Sequence, residues 1–261
     1  MPPSLNELAA RLRFCRHLVV LTGAGVSQES GIPTFRDALT GLWSQFEAER
    51  LATPAAFKAD PALVWGWYEW RRAQVLACEP NAAHVAIAEL VHRVPRLTLI
   101  TQNVDGLHQR AGSPEVLELH GSLHRPCCHA CRRPYALTGP PPLPDEGQRL
   151  PPPRCVHCGG RIRPGVVWFG ETLPANILKQ AEAAARDGDL FLSIGTSALV
   201  YPAAGLPWTA AEAGALVVQI NPDTTPLDRL AAVNLQGTAA QILPELVTRA
   251  FLKTGESGRL P

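Results

Sequence analysis

Apolar positions recur along this chain with two periods, and segments of the two kinds alternate. Leu5, Leu8, Leu12 and Cys15 fall on one face at helical spacing. Ser4-Leu5-Asn6-Glu7 has the pattern of a capping box that opens this helix. A short apolar run follows, His17-Leu18-Val19-Val20-Leu21-Thr22, of the kind buried on both faces in a parallel sheet. Comparable runs return at Leu97–Thr101, Leu190–Ile194, Leu216–Ile220 and, more weakly, Ala231–Leu235. Helical stretches lie between several of them, as at Asn81–Val94 and Ala175–Arg186. Strands alternating with helices predict an α/β fold built on a doubly wound parallel sheet.

Two segments break the rhythm. Residues 39–79 hold two helix starts with proline at the first helical position, Thr53-Pro54 and Asp60-Pro61. They also gather Trp43, Trp65, Trp67, Tyr68 and Trp70, with Phe46 and Phe57 nearby. Residues 125–164 are rich in Pro, Cys and Arg and show no clear periodicity. Both read as insertions. The α/β domain then comprises 1–38, 80–124 and 165–261, with a helical insert at 39–79 and a metal-organised one at 125–164.

Composition narrows the function classes. Close to half of the 261 residues are apolar, enough for a sizeable core, and the formal net charge is +1. No basic patch marks a nucleic-acid partner. No apolar run approaches the ~20 residues of a membrane span, and no export signal is recognisable, so a cytoplasmic protein is expected. In that compartment thiols stay reduced, and seven cysteines read as metal ligands or buried thiols. Cys15 and Cys78 look like helix residues packed in the core. Cys128-x-x-Cys131 and Cys155-x-x-Cys158 form two matched pairs that can surround zinc tetrahedrally. Cys127-x-x-x-Cys131 is an alternative; Cys128 is favoured because it makes the pairs match. Four sulfur ligands leave no open position, so such a zinc is structural.

After the first strand comes Gly23-Ala24-Gly25-Val26-Ser27-Gln28, the beginning of a dinucleotide-binding turn with a helix N-terminus expected behind it. Gln28 stands where a third glycine belongs, so a plain strand-to-helix turn is the competing reading. Three further loops follow strands: Gln102-Asn103-Val104-Asp105, Gly195-Thr196-Ser197 and Asn221-Pro222-Asp223. Ligands of open α/β sheets bind beyond the carboxyl ends of strands, where all four loops lie. Asn221 and Asp223 suit ribose hydroxyls; Thr196 and Ser197 suit phosphate or ribose. His120, at a glycine hinge after Val116–Leu119, has the chemistry of a general base, although a lone histidine is more often structural.

Several long motifs in order, Gly23–Arg36, Thr101–His108, His120-Gly121, the cysteine pairs and Gly195-Thr196-Ser197, resemble those of the sirtuins, the NAD-dependent protein-lysine deacylases. The resemblance spans about 17 to 245. It implies a Rossmann-type NAD domain, a smaller zinc-bearing domain and a cleft for acyl-lysine between them. The missing third glycine is normal for that family. The implied chemistry starts with attack of the acyl oxygen on the ribose carbon that carries nicotinamide. Nicotinamide leaves, a ribose hydroxyl deprotonated by His120 then attacks the resulting imidate carbon, and hydrolysis yields lysine and O-acyl-ADP-ribose. Asn103 and Asp105 are implied to line the nicotinamide pocket, with Gln102 near the ribose. Thr34, Phe35 and Arg36 are implied in a loop closing over NAD, and Ala239 in the cofactor-binding set. Val167-Trp168-Phe169-Gly170-Glu171 resembles the segment that pairs with a substrate peptide backbone. Acylated-lysine proteins or peptides are the expected partners of a monomeric enzyme.

Val64, Tyr68, Arg71 and Val75 share one helical stripe, in which a cation interrupts an apolar face. The Tyr68-x-x-Arg71 pair resembles that of class III sirtuins, which accept acyl groups ending in a carboxylate, and Ala48 matches a small residue that leaves room for the longer chain. Succinyl and malonyl groups are therefore expected substrates, with acetyl also accepted. A structural ion pair of Arg71 is the competing reading. A mono-ADP-ribosyltransferase, an NAD-dependent dehydrogenase and a zinc-stabilised nucleic-acid module are rival functions.

Overall fold

In the computed structural model, which describes residues 5–33, 47–137 and 148–251, the apolar runs become strands. Among the described residues the strands are β1 (Leu18–Thr22), β2 (Leu97–Thr101), β3 (Val116–Glu118), β4 (Gly121–Cys128), β5 (Ile162–Val166), β6 (Leu190–Ile194), β7 (Leu216–Asn221) and β8 (Val233–Gln236), of which β3, β4 and β5 lie outside the expected runs. Six pair in parallel in the order β3-β2-β1-β6-β7-β8. The chain runs outward from β1 to one edge, then restarts beside β1 and runs to the other. This is the Rossmann order, and its switch point lies between β1 and β6.

Successive side chains of the central strands enter two different cores. Val20, Leu192 and Val218 pack with Leu8 and Leu12 of α1 (Leu5–Phe14), Ile87 of α5 (Ala82–Leu90) and Leu243 of α9 (Ala239–Phe251). Val19, Leu21, Phe191 and Val217 pack with Ala181 and Ala185 of α7 (Ala175–Asp187) and Leu206 and Ala210 of α8 (Leu206–Glu212). Helices thus cover both faces, as a doubly wound sheet requires.

Residues 47–79 fold into α2 (Ala48–Leu51), α3 (Pro54–Ala59) and α4 (Pro61–Ala77). Thr53 Oγ1 accepts from the N–H of Ala56 at 3.1 Å, and Asp60 Oδ1 from that of Leu63 at 2.9 Å, so both proline-led starts are capped as their sequence demands. The antiparallel pair β4–β5 makes a second, two-stranded sheet with an irregularity between Ser122 and Cys127. The short α6 (Leu107–Arg110) follows β2.

Some expectations shift. The helix expected over 81–94 ends at Leu90; Val91, His92 and Arg93 make tighter bonds to residues three back. Cys15 and Cys78 sit just beyond α1 and α4 rather than within them. Cys15 is buried and its Sγ reaches Leu12 O at 3.1 Å, while Cys78 is only partly buried. Ser4 of the capping box, together with Thr34, Phe35, Arg36, Trp43 and Phe46, lies outside the described residues. Among the described residues no helix is long and apolar enough to cross a membrane.

Candidate functional site

The loops after β1 and β6 meet at the switch point. The N–H of Gly25 donates to Gly195 O at 2.8 Å, and that of Gly23 to Ile194 O at 3.0 Å. A Cβ on Gly25 would stand 2.8 Å from Gly195 Cα, so only glycine permits this approach. The α-helix whose N-terminus is expected behind this turn is absent among the described residues. Two 3-10 turns, Ala24–Val26 and Gln28–Ser30, take its place. Gly31 then enters the left-handed region, and Ile32 precedes Pro33, which disfavours helix. The third glycine of the dinucleotide pattern serves close helix-to-strand packing. Here no such helix packs, so Gln28 is tolerated.

The remaining loops are tied to this turn. Gln102 Nε2 donates to Thr196 Oγ1 at 2.9 Å. Asn221 Nδ2 donates to Thr196 O at 2.8 Å and Asn221 Oδ1 accepts from the N–H of Asp223, so Asn221 braces two loops. Pro222 and Asp223 are exposed beside it, and Ser197 is half-buried. Ala239 is buried where α9 begins. The carbonyl of Val104 accepts the N–H of Leu123 at 2.9 Å.

Under the β1 and β2 loops lies a buried polar network. Asn103 Nδ2 donates to Gly23 O and to Ser27 Oγ, each at 3.1 Å. Ser27 Oγ donates to Asp105 Oδ2 at 2.8 Å, and Asp105 Oδ1 accepts from the N–H of Leu107. His84 Nδ1 accepts the N–H of Asn81, which leaves Nε2–H to face Ser27 Oγ at 3.4 Å. His108 Nε2 meets Thr22 Oγ1 at 2.9 Å, and His124 Nε2–H donates to Asp105 O at 2.8 Å. Burial, opposed by Asp105, pushes the pKa of His84 down to about 4; burial and neighbouring His84 push that of His108 down to about 3. The histidines that brace Asp105 were not assigned from sequence. The capping pattern Asn81-x-x-His84 was the available signal.

His120 lies in the turn between β3 and β4. Its Nδ1 is 3.0 Å from Gln102 O, and a carbonyl only accepts, so the proton is on Nδ1 and Nε2 carries the lone pair. Burial pulls its pKa below the ordinary value, against the opposing hydrogen bond to Gln102. A neutral ring with one nitrogen free to take a proton results.

Ala48, Phe57, Val64, Trp67, Tyr68, Val75, Leu123, Val166 and Trp168 form one buried cluster, with Val104 against it. The cofactor-side loop and the helical segment therefore share a wall. Tyr68 Oη accepts from Trp168 Nε1–H at 3.1 Å. Arg71 is half-buried with its Cζ 5.2 Å from the Trp67 ring centre. Burial lowers its pKa, while Tyr68 and Asp105 support its charge. Arg72 points elsewhere and pairs with Glu69 at 2.6 Å. The N–H groups of Val167, Trp168 and Phe169 are spent within the chain, on His120 O, Glu171 Oε2 and Ala52 O. Strand pairing with a peptide along this segment must use its other backbone groups.

The Sγ atoms of Cys128, Cys131, Cys155 and Cys158 lie within 4.8 Å of one another, with Cys128–Cys158 at 3.5 Å and Cys131–Cys155 at 3.7 Å. A tetrahedron with Zn–S of about 2.3 Å sets its sulfurs about 3.8 Å apart. The four thiols fit zinc, and Cys127 is not among them.

A parallel sheet that closes glycine loops over a switch point, with a four-cysteine zinc site beside it, defines an NAD-using enzyme with a structural zinc. The Sir2 family model matches residues 23–202. An NAD-dependent protein deacylase of Methylococcus capsulatus is 60% identical over 93% of this chain and 95% of its own. One from Pseudomonas aeruginosa is 57% identical over 95% and 99%. A solved Sir2 homolog–NAD complex superposes with a TM-score of 0.85 at 45% identity, covering 93% of this chain and 92% of that one. A Sir2–p53 peptide–NAD+ complex gives 0.81 at 30%, covering 96% and 100%. The chain belongs to the Sir2 family and is an NAD-dependent protein deacylase.

Proposed function

We propose that this enzyme removes acyl groups ending in a carboxylate, succinyl and malonyl, from protein lysine side chains, and acetyl groups as well. The observation that carries this reading is the pairing of Tyr68 and Arg71 one helical turn apart in α4, on the cluster that contains Ala48 and Val104. A guanidinium binds a carboxylate through two parallel hydrogen bonds, and a phenol can add a third. Such a cation is costly to bury in a pocket meant for an acetyl methyl group, but suits a terminal carboxylate.

Bound NAD supplies the ribose carbon and hydroxyl that receive the acyl group, and nicotinamide leaves. The protein's share is positional. Gly23, Gly25 and Gly195 let the backbone approach the pyrophosphate, while Asn103 and Asp105, braced by Ser27, wall the nicotinamide end. His120 Nε2 takes the proton of the ribose hydroxyl, its ring held in that tautomer by Gln102. Water is consumed in releasing the lysine amine, and free lysine, nicotinamide and O-acyl-ADP-ribose are the expected products.

Steady-state kinetics on matched succinyl-lysine and acetyl-lysine peptides test the reading. The wild-type enzyme should favour succinyl. Arg71→Met should lower the succinyl-to-acetyl ratio of kcat/KM by roughly 100-fold, the equivalent of ~3 kcal/mol for a charge-assisted bidentate contact. An intact ratio would rule out the role given to Arg71.

A further inference from the structure

Trp168 is fully enclosed, and every contact it makes fixes its ring. The Arg163 guanidinium lies over the indole with Cζ 3.5 Å from the ring centre. That guanidinium is itself clamped: Nη1 and Nη2 donate to Glu171 Oε1 and Oε2 at 2.5 and 2.7 Å, and Nη2 to Val166 O at 3.0 Å. Glu171 Oε2 also accepts the N–H of Trp168 at 2.9 Å, so backbone and ring are held by one ion pair. The Phe57 ring closes another side at 5.2 Å between centres. The indole has a single polar atom, Nε1, and its proton goes to Tyr68 Oη at 3.1 Å.

That bond decides what Tyr68 can do. A phenol oxygen both donates and accepts. Trp168 occupies its acceptor side, and among the described residues the phenolic hydrogen has no acceptor of its own. It is left for a group arriving beside Arg71, whose charge acts on Tyr68 from the next turn of α4. With Trp168 removed as donor, the hydroxyl could rotate and present a lone pair to an incoming carboxylate, which would repel it.

We propose that Trp168 is a positioning residue for acyl specificity: its indole N–H, locked by the Arg163–Glu171 clamp, turns the Tyr68 hydroxyl so that it donates to an acyl carboxylate held by Arg71. The inference rests on the acidic-acyl reading above and adds a residue that does not itself touch that carboxylate.

The test is a double-mutant cycle with Trp168→Phe and Tyr68→Phe, read as the succinyl-to-acetyl ratio of kcat/KM. Phenylalanine keeps the aromatic stack under Arg163 and deletes the donor. Trp168→Phe should lower the ratio about fivefold, the size of one misdirected hydrogen bond, through a higher KM for the succinyl peptide. In the Tyr68→Phe background the same change should lower it no further. A ratio unchanged by Trp168→Phe, or a second full drop in that background, would overturn the inference while leaving the acidic-acyl reading intact. A wild-type enzyme with no succinyl preference would overturn both. If Trp168→Phe fails to fold, 3-benzothienylalanine at position 168 preserves ring size, removes only the N–H and carries the same expectation.

Discussion

Val20 in the parallel sheet and Cys128 in the two-stranded sheet are both completely buried, but their surroundings differ. Val20 belongs to a core fed by α1, α5, α9 and five strands. Cys128 belongs to a cluster whose other buried members are Trp65, Cys155 and Ile162. Two of those four are zinc ligands, and a third, Trp65, is supplied by α4. The parallel sheet is held by apolar area and would persist without any one contact. The hairpin has little core of its own, so its folding free energy is the metal's. It also leans on the helix that carries Tyr68 and Arg71: Leu150 N–H donates to Ala62 O at 3.0 Å, and Arg149 Nε to Asp60 Oδ2 at 3.0 Å. Stability of the hairpin with α4 and stability of the sheet therefore come from different sources.

The largest effect that separates the two regions is removal of the zinc. A strong chelator should release one zinc per chain and abolish deacylation, although no thiol touches the reaction. Hydrogen exchange followed by mass spectrometry should show 121–137, 148–166 and α4 losing protection while β1 and β6 keep theirs. Full protection of β4 and β5 in metal-free protein would mean that the hairpin holds itself, and the contrast would fail.

The same contrast explains what could be read from sequence. Five strands of the parallel sheet and both proline-led helices followed from period and capping, because the sheet core and the caps are local or strongly patterned; β3, β4 and β5 carry no such run and did not follow. The four candidate zinc ligands followed from spacing, and Cys128 over Cys127 from symmetry of the pairs; these are the four whose sulfurs lie within 4.8 Å of one another. The turn after β1 did not follow: a glycine pattern shared with helix-led sites does not reveal that Gly31 and Pro33 stop the helix. Nor did the brace of His84, His108 and His124 around Asp105, since its members come from separate elements and meet only in the fold. The inward packing of the Trp168 side chain on Tyr68 has no signal in the sequence either, since the two residues lie 100 positions apart.

Acid should attack the two regions through different groups, the zinc thiolates in the hairpin and buried histidines beneath the sheet. His84 and His108 titrate near 6.5 when unfolded but only at about 4 and about 3 when folded. Between those values the unfolded chain binds protons that the folded one refuses, so stability falls as pH drops below 6.5 and levels off below the folded pKa values. Each histidine should cost roughly 2 kcal/mol between pH 6.5 and 5. Thermal melts of wild type and His108→Gln at pH 7.5 and 5.0 isolate the histidine share, because acid release of zinc is common to both. The variant should lose less Tm on acidification. Equal losses would assign the acid sensitivity to the hairpin alone.

The smallest expected effect tests how the two regions are joined. Gly66 sits inside α4, where alanine ordinarily stabilises by about 1 kcal/mol. A Cβ there would stand 2.2 Å from Gln148 O and 3.1 Å from Leu150 N. Both are backbone atoms of the segment that returns to the hairpin, so no side chain can swing away. Overpacking of this kind costs about 1–3 kcal/mol and should outweigh the gain in helix propensity. Gly66→Ala should therefore lower Tm by about 2–4 °C. Its faster hydrogen exchange should be confined to 148–166 and α4, since nothing in the sheet touches that glycine's open side. A raised Tm would show that helix propensity wins, and that the hairpin docks on α4 less closely than the fit of Gly66 against Gln148 requires.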